Sequence, residues 1–302
     1  MDLPYLRARP ELLPAFLFHQ RIHEVSVGGG STCQVRRLTL EDGCSVLAKS
    51  WPEGTERPDG VFESEAAGLA WLRAAGAVEL PEVIAVLPEL LVLEWVETTR
   101  PSVAAARRFG RELAELHLAG AERFGAPWPG FHSSLPQDNG PSAETAWPEW
   151  FATRRIAPYL RISVDRGALD SATTRLVEQV MDRIGEYAGP PEPVARLHGD
   201  LWPGNLLWAA PSGGGVADRV LLVDPAAHGG HRETDLAQLA MFGAAPHLEE
   251  ILASYQERYP LAAGWPARRA LHQLPMSLLH TALFGASYRD LVRSTARSVL
   301  TA

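Results

Sequence analysis

The stretch Leu-His-Gly-Asp-Leu-Trp-Pro-Gly-Asn, residues 197–205, constrains this chain more than any other part of its sequence. It places His198, Asp200 and Asn205 in the order H-x-D-x-x-x-x-N, so a carboxylate and a carboxamide share one short loop. A loop of this kind aims both groups at the same place, which suits a reaction that needs a proton acceptor beside a metal ion. The chain must therefore fold so that both side chains face one cleft.

The spacing is typical of kinase catalytic loops, in which the aspartate accepts the proton of a hydroxyl and the asparagine holds a metal ion near the phosphates. Further along, an aliphatic run ends at Asp224, where a second, anionic metal ligand is expected. Mg²⁺ prefers few protein oxygens in addition to phosphate, so Asn205 and Asp224 would suffice. Either piece alone occurs often as an ordinary turn, and only the combination favours phosphoryl transfer.

The bulk composition excludes several classes of protein. The 302 residues, 46% hydrophobic and 21% charged, suit one or two globular domains. A net charge of -8 makes nucleic acid a poor candidate partner. Cys33 and Cys44 are too few for a disulfide framework. Because no apolar run is long enough to span a membrane and no secretory signal is evident, a cytoplasmic location is expected.

Lys49 is the only lysine among 28 basic residues. Its retention indicates a position that needs a compact ammonium group and not a guanidinium fork, although chance is the alternative. Lys49 lies in a predicted strand over residues 44–50, which follows predicted strands over 23–27 and 33–40. In kinase-like folds the lysine that positions ATP lies on the third strand.

A glycine loop, Gly28, Gly29, Gly30 and Ser31, joins the first two of these strands. Glycines let backbone N–H groups approach phosphates closely, but a flexible surface hairpin has the same composition. The loop is neither a Walker A motif nor a strict G-x-G-x-x-G. Its position upstream of Lys49 favours a role in nucleotide binding.

A helix is predicted over residues 62–73 from its apolar spacing. Glu65, near its start, is expected to pair with Lys49 and hold it against the α and β phosphates. Glu63 is the competing candidate, and a solvated helix face is the alternative to both.

Two further strands, over residues 83–87 and 90–93, lead into a connector. In this connector the backbone groups of Glu94 and Val96 would meet an adenine edge, or the segment is a plain linker. The domain boundary is placed here, with a nucleotide-binding lobe at 1–96 and a catalytic and substrate-binding lobe at 97–302.

The rest of the chain is predicted to be mostly helical. A long ordered loop rich in Pro, Gly, Ser and Trp is expected over 125–148, and a leading helix over 2–20. His117 is interpreted as a hydrogen-bonded core histidine. The helices are predicted over residues 103–118, 149–160, 172–187, 233–242, 247–258 and 265–288.

The wording of three blocks resembles the fructosamine/ketosamine kinase family, a branch of the aminoglycoside-phosphotransferase and choline-kinase-like fold. The blocks are HGDLWPGN at 198–205, DPA at 224–226 and GHRETDL at 230–236. Upstream, the glycine loop and residues 62–72 resemble the family's nucleotide loop and its glutamate-containing helix. The similarity extends over roughly residues 23–290.

The resemblance implies an α+β, two-lobed protein-kinase-like fold, with a small antiparallel-sheet N-lobe and a larger, mostly helical C-lobe. It further implies ATP- and Mg²⁺-dependent phosphorylation of the 3-hydroxyl of a ketoamine, such as a ribulosamine or fructosamine, free or protein-bound, in deglycation. Asp200 would be the catalytic base, Asn205 and Asp224 the Mg²⁺ ligands, and Lys49 with Glu65 the phosphate clamp. At its ordinary pKa of about 3.9, Asp200 would be a weak base.

Several roles are more open. Trp202 is a candidate platform for the sugar, with core packing as the alternative. His231 and Arg232 either structure their loop or touch the substrate, and Asp235 is expected to brace the catalytic loop by hydrogen bonds. Cys33 stands where the family has a polar residue, and it would be oxidisable if it were exposed and activated.

Two rival functions remain. One is a kinase of the same fold that acts on an aminoglycoside or choline, whose pocket should be acidic or an aromatic cage to which the Trp-rich segment 125–151 could contribute. The other is a non-catalytic nucleotide-binding scaffold. The intact set of Lys49, Asp200, Asn205 and Asp224 argues against a scaffold, because drift would be expected to break it.

Overall fold

A computed structural model describes residues 9, 12, 23–26, 33–40, 42–141, 146–210 and 215–302. The predicted leading helix over 2–20 falls almost entirely outside this part of the chain. The glycine loop, Gly28, Gly29, Gly30 and Ser31, lies outside it as well.

A five-stranded antiparallel sheet in the order β1-β2-β3-β5-β4 begins the fold. Its central strands are rich in Val and Leu and are buried on both faces. Leu91 and Leu93 belong to the large core shared with the rest of the chain, whereas Val92 packs with Val46 and Ala48 in a separate cluster. This alternation is the period of two expected of a strand. The strands are β1 His23–Ser26, β2 Gln34–Thr39, β3 Ser45–Ser50, β4 Val83–Leu87 and β5 Leu90–Glu94.

Helix α1, Val61–Arg73, crosses between β3 and β4. Its buried residues Phe62, Leu69 and Leu72 fall on one face at helical spacing and pack into the large core. Gly60 precedes the helix and Gly76 follows it, and both have positive φ. Positive φ at a glycine is a common way for a helix to end, as at Gly76. This packing holds the first turns of α1 against the sheet, where Glu65 lies.

The remainder is mainly helical, as predicted, but with additions. Six short strands pair as three two-stranded ribbons, β6 with β7, β8 with β11 and β9 with β10, and a π-helical turn, Ala152–Ile156, interrupts the helix predicted over 149–160. The elements are α2 Val103–Leu118, β6 Gly130–His132, β7 Leu135–Gln137, α3 Trp147–Phe151, α4 Ala157–Asp165, α5 Ser171–Asp182, α6 Ile184–Tyr187, β8 Ala195–Leu197, β9 Leu206–Ala209, β10 Arg219–Leu222, β11 His228–Gly230, α7 Glu233–Gln238, α8 Leu248–Arg258, α9 Trp265–Phe284 and α10 Arg289–Leu300.

The predicted set of helices needs three corrections. The helix predicted over 233–242 ends at Gln238, and Phe242 and Gly243 have positive φ, which lies outside the α-helical region. The helix predicted over 265–288 ends as an α-helix at Phe284, where Gly285 has a φ of 81°. Helix α10 was not predicted, although it buries one face against α5 and α9.

The predicted loop over 125–148 contains the β6–β7 hairpin. In the part of the chain that the structure describes, no helix is both long enough and apolar enough to cross a membrane.

Helices α2 and α8 pack at very close range around Gly110. A Cβ atom at this position would lie well inside van der Waals contact of the backbone carbonyl of Ile251. Backbone cannot yield as a side chain can, so the glycine sets the distance between the two helices. The core of the helical part depends on that distance, because Phe109 and Leu113 on α2 are completely buried.

We expect Gly110→Ala to lower the free energy of unfolding by about 2 kcal/mol, even though alanine is the better helix former by about 1 kcal/mol. Chemical denaturation measures the change. Gly185→Ala is the matched control, since its added Cβ meets no atom within 4 Å and should be neutral or stabilising. Equal stability of the two variants would contradict this account.

Candidate active site

The loop after β8 is held through its backbone by one buried carboxylate. Asp235, on α7, accepts the backbone N–H of His198 at 2.8 Å and that of Gly199 at 2.9 Å. The side chain of His117 contacts the same carboxylate at 3.3 Å and bonds to Tyr255 at 2.8 Å. The bracing role predicted for Asp235 is confirmed, as is the interpretation of His117 as a hydrogen-bonded core residue.

Sequence reasoning missed two further residues that fix this loop. Gln238 accepts the backbone N–H of Leu201 at 2.6 Å and donates to the carbonyl of Gly199 at 3.2 Å. His132 bonds to the same carbonyl at 3.1 Å. Gln238 lies three residues after Asp235 on α7, and this helical spacing is the signal that could have revealed it.

The β9–β10 hairpin brings Asn205 and Asp224 together. Leu206 pairs with Leu222, so the residue before β9 and the residues after β10 lie at the same end of the ribbon. There the carbonyl of Asn205 accepts the N–H of Val223 at 3.2 Å. His198 closes the arrangement with a bond of 2.9 Å from its ring to the carbonyl of Val223.

The amide of Asn205 has a defined orientation. Its Nδ2 donates to the backbone carbonyl of Asp200 at 2.8 Å and to Oδ2 of Asp200 at 3.1 Å. Because both partners are acceptors, the nitrogen must face them, which leaves the amide oxygen for another ligand. Asp224 adds a carboxylate, about half exposed, on a backbone with a strained φ of 56°. One amide oxygen and one carboxylate fit the preference of Mg²⁺ for oxygen ligands.

Lys49 joins the sheet to the rest of the site. Its Nζ lies 2.6 Å from Glu65 and 3.0 Å from Asp224, so the predicted pairing with Glu65 is present. Burial lowers the pKa of Lys49, but the two carboxylates outweigh burial and raise the pKa above its usual range. Lys49 is therefore a permanent cation at the base of the cleft.

Asp200 is a stronger base than its ordinary pKa implies. Burial, reinforced by the charge of Asp224, raises the pKa of Asp200 from 3.8 to about 7. The expectation that Asp200 is a weak base with a pKa of about 3.9 is thereby corrected. A cation bound at Asp224 would neutralise the charge that helps to raise the pKa of Asp200, and would lower that pKa again.

These groups surround a single cleft of about 830 Å³ between the sheet and the helical part. Trp202 also lines it, and its ring lies directly over Gly204, where a Cβ would collide with the indole. The glycine of the motif thus makes room for the tryptophan. The lining also includes Phe131, His132 and Ser133, which sequence reasoning did not identify.

His231 and Arg232 do not line this cleft. Arg232 is buried, with two bonds of 2.6 and 2.7 Å to Glu192 and a contact with the ring of Tyr259. His231 is buried 4.7 Å from the ring of Trp147. The sequence left open whether His231 and Arg232 structure their loop or touch the substrate, and these contacts correspond to the first of these roles.

The nucleotide side of the cleft is only partly described. The glycine loop lies outside the described residues. Glu94, at the end of β5, donates its backbone N–H to the carbonyl of Glu82 at 2.8 Å, and Val96, two residues further on, is half-buried. Cys33 lines the cleft, and burial raises the pKa of its thiol to about 11, which does not suit an activated thiolate.

None of the three tryptophans of the segment 125–151 lines the cleft. Trp147 and Trp150 are buried in the core of the helical part, and Trp128 packs against Trp71 with ring centroids 5.7 Å apart. Tryptophan content alone could not distinguish a cage from a core, because both use the same side chains.

Comparisons with known proteins agree with this geometry. A family model described as fructosamine kinase matches residues 18–302. The chain is 30% identical over 267 residues to the "Probable ketoamine kinase" of Enterococcus faecium, covering 87% of this chain and 90% of that protein. The crystal structure of a "putative fructosamine-3-kinase" from Thermobifida fusca has a TM-score of 0.85 at 45% identity, over 94% of this chain and 95% of that one.

A choline kinase from Cryptosporidium parvum has a TM-score of 0.58 at 13% identity, over 99% of this chain and 93% of that one. At this identity the likeness concerns the fold alone. The expected two-lobed, protein-kinase-like fold is confirmed by these neighbours.

The raised pKa of Asp200 predicts a pH-dependent penalty on folding. Between 3.8 and about 7 the folded protein keeps a proton that the unfolded chain has released, so stability falls as the pH rises through this range. In metal-free buffer, the free energy of unfolding of Asp200→Asn, taken relative to wild type, should therefore rise by roughly 1–3 kcal/mol from pH 5 to pH 8. Partial exposure of Asp200 keeps the rise from being larger. Denaturant unfolding at both pH values measures it.

Asp218→Asn, at an exposed carboxylate, is the control, and its difference from wild type should stay within about 0.5 kcal/mol at both pH values. A gain for Asp200→Asn that is the same at pH 5 and pH 8 would contradict the assignment.

Proposed function

Because the chain belongs to the fructosamine kinase family and is therefore an ATP-dependent kinase with an alcohol acceptor, we propose that it phosphorylates the 3-hydroxyl of a ketoamine. A ribulosamine or a fructosamine, free or attached to a protein, is the proposed acceptor. The observation that carries the proposal is the convergence of Asp200, Asn205, Asp224 and Lys49 on one cleft. The role is deglycation, since the 3-phosphate of a ketoamine is unstable and its elimination regenerates the amine.

Asp200 is the proposed catalytic base. Asn205 holds its Oδ2, so the carboxylate has a fixed direction before the acceptor arrives. Mg²⁺ at Asp224 would remove part of the cause of the raised pKa of Asp200, so this carboxylate acts mainly by orienting the hydroxyl and accepting its proton late. Positioning of the hydroxyl for in-line attack supplies most of the remaining effect.

Lys49 is the proposed phosphate-positioning cation, and Glu65 keeps it extended across the cleft. Asn205 and Asp224 would hold Mg²⁺, which supplies charge neutralisation on the transferred phosphoryl group. Lys49 also contacts Asp224, so its ammonium lies beside one of the proposed Mg²⁺ ligands. Removal of either charge should cost on the order of 10²-fold in rate.

We assign nucleotide binding to residues 1–96 and the catalytic and acceptor groups to residues 97–302. The proposed nucleotide contacts are Gly28, Gly29, Gly30 and Ser31 at the phosphates, and the backbone of Glu94 and Val96 at the adenine edge. The position of Lys49 supports this division, because it lies near the end of the central strand β3 and contacts Asp224 in the second segment.

Trp202 is the proposed platform for the sugar. It lines the cleft on the same loop as Asp200, and Gly204 leaves its indole room to lie flat over the loop. A sugar stacked on this ring would present its hydroxyls toward the base two residues away.

The direct test is ADP release with Mg²⁺-ATP and each of four acceptors: a ribulosamine, a fructosamine, an aminoglycoside and choline. We expect turnover on a ketoamine, and a loss of 10²-fold or more in kcat for Asp200→Asn, since the amide accepts no proton. Turnover on choline or the aminoglycoside alone would overturn the proposal. Turnover on none of the four would leave a nucleotide-binding scaffold as the better account.

The brace formed by Asp235 gives a second prediction. Asp235→Asn replaces one acceptor with an amide N–H that faces backbone donors, so the loop carrying Asp200 should lose its fixed position. We expect kcat for the ketoamine to fall about tenfold or more, with little change in the KM for ATP. Steady-state kinetics test this on protein shown by circular dichroism to be folded. Asp218→Asn is the control, and an unchanged kcat in Asp235→Asn would refute the brace.

A further inference from the structure

Aromatic side chains continue outward from Trp202 along one surface of the helical part. The ring of Phe242 meets Trp202 edge to face at 6.2 Å and meets His280 at 4.5 Å. His280 in turn contacts Phe284 at 5.6 Å and Tyr288 at 5.1 Å. We call the four residues Phe242, His280, Phe284 and Tyr288 the aromatic strip.

Two rings of the aromatic strip are exposed, and the backbone of one of them, Phe242, is strained. Phe242 and Phe284 are each 42% exposed, unlike the fully buried aromatic residues of the core. Phe242 adopts a φ of 51°, and Gly243 and Ala244 follow at 105° and 58°. A bulky residue in the left-handed region is a genuine outlier, and such strain is found chiefly where a ligand site requires it. Core packing does not account for Phe242, because its ring is on the surface.

His280 gives the strip a polar atom without a charge. Its Nδ1 lies 2.9 Å from the carbonyl of Met276 and must donate to it, so Nε2 carries the lone pair. Burial lowers the pKa of His280, which keeps the ring neutral near pH 7. Exposed ring faces and a neutral nitrogen acceptor are suited to an ammonium group that bears an apolar substituent.

We propose that the aromatic strip binds the amine half of the acceptor: the protonated secondary nitrogen of the ketoamine and the alkyl or aryl group attached to it. This rests on the proposed function, in which the sugar half stacks on Trp202. Continuity with Trp202 supports the assignment, because the ring of Phe242 contacts that of Trp202 and a substituent on a sugar stacked there would lie within reach of the strip. The strip therefore makes the enzyme selective for ketoamines with a large apolar amine substituent.

The test compares three ketoamines that share one sugar and differ only in the amine, which is methylamine, butylamine or benzylamine. For the wild type, we expect kcat/KM to be roughly tenfold or more higher for the benzylamine adduct than for the methylamine adduct, with butylamine between them. In Phe284→Ala this ratio should fall at least threefold. Leu118→Ala, which alters a side chain exposed to a similar degree outside the strip, should keep the wild-type ratio.

A second readout, binding of benzylammonium by calorimetry, needs no turnover. Wild type should bind it more tightly than methylammonium, and Phe284→Ala should weaken binding of benzylammonium by at least threefold. Equal kcat/KM for the three adducts in wild type would overturn the strip as a specificity site and leave the ketoamine reaction intact. If no adduct is turned over, the proposed reaction fails, and equal affinity for the two ammonium ions would then overturn the strip as well.

Discussion

A buried lysine between two carboxylates is the interaction on which the site depends. Lys49 belongs to the sheet, Glu65 to the first helix and Asp224 to the end of a hairpin in the helical part, so one ammonium group connects three elements. A buried charge is costly without partners, and the loss of either carboxylate would leave the cation with a single partner. These ion pairs therefore fix the position of the sheet relative to the helical part at the point where phosphates are proposed to bind.

The loop that carries Asp200 is held in the opposite way, by a buried anion that accepts backbone N–H groups. Asp235 binds two of its N–H groups, and Gln238 and His132 bind the carbonyl of Gly199. Among the described residues, the side chain of Asp200 receives a hydrogen bond from Asn205 alone. That leaves Asp200 near a second carboxylate in a partly desolvated position. The cost in folding energy and the raised pKa of Asp200 have the same cause, which is burial beside a second carboxylate.

Roles that depend on spacing within one element could be predicted from the sequence. Lys49 in a strand, Glu65 near a helix start and Asp235 after the catalytic loop were all identified, because secondary-structure periodicity and motif order fix where such residues occur. His231 and Arg232 share the same motif with Asp235, yet they face Trp147 and Glu192 away from the cleft. Motif membership does not say which face of a short segment is buried, since packing against distant residues decides that.

The sequence by itself indicated an ATP-dependent kinase, because the H-x-D-x-x-x-x-N loop and the later aspartate are typical of that chemistry. The change from mostly strands to mostly helices after residue 96 was visible in local patterns, and the resemblance to a known family implied the α+β, two-lobed class. Only the tertiary structure decided the pKa of Asp200, the contact of Lys49 with Asp224 and the aromatic strip beyond Trp202. Each of these depends on burial and on distances between residues far apart in the chain, which no local pattern encodes.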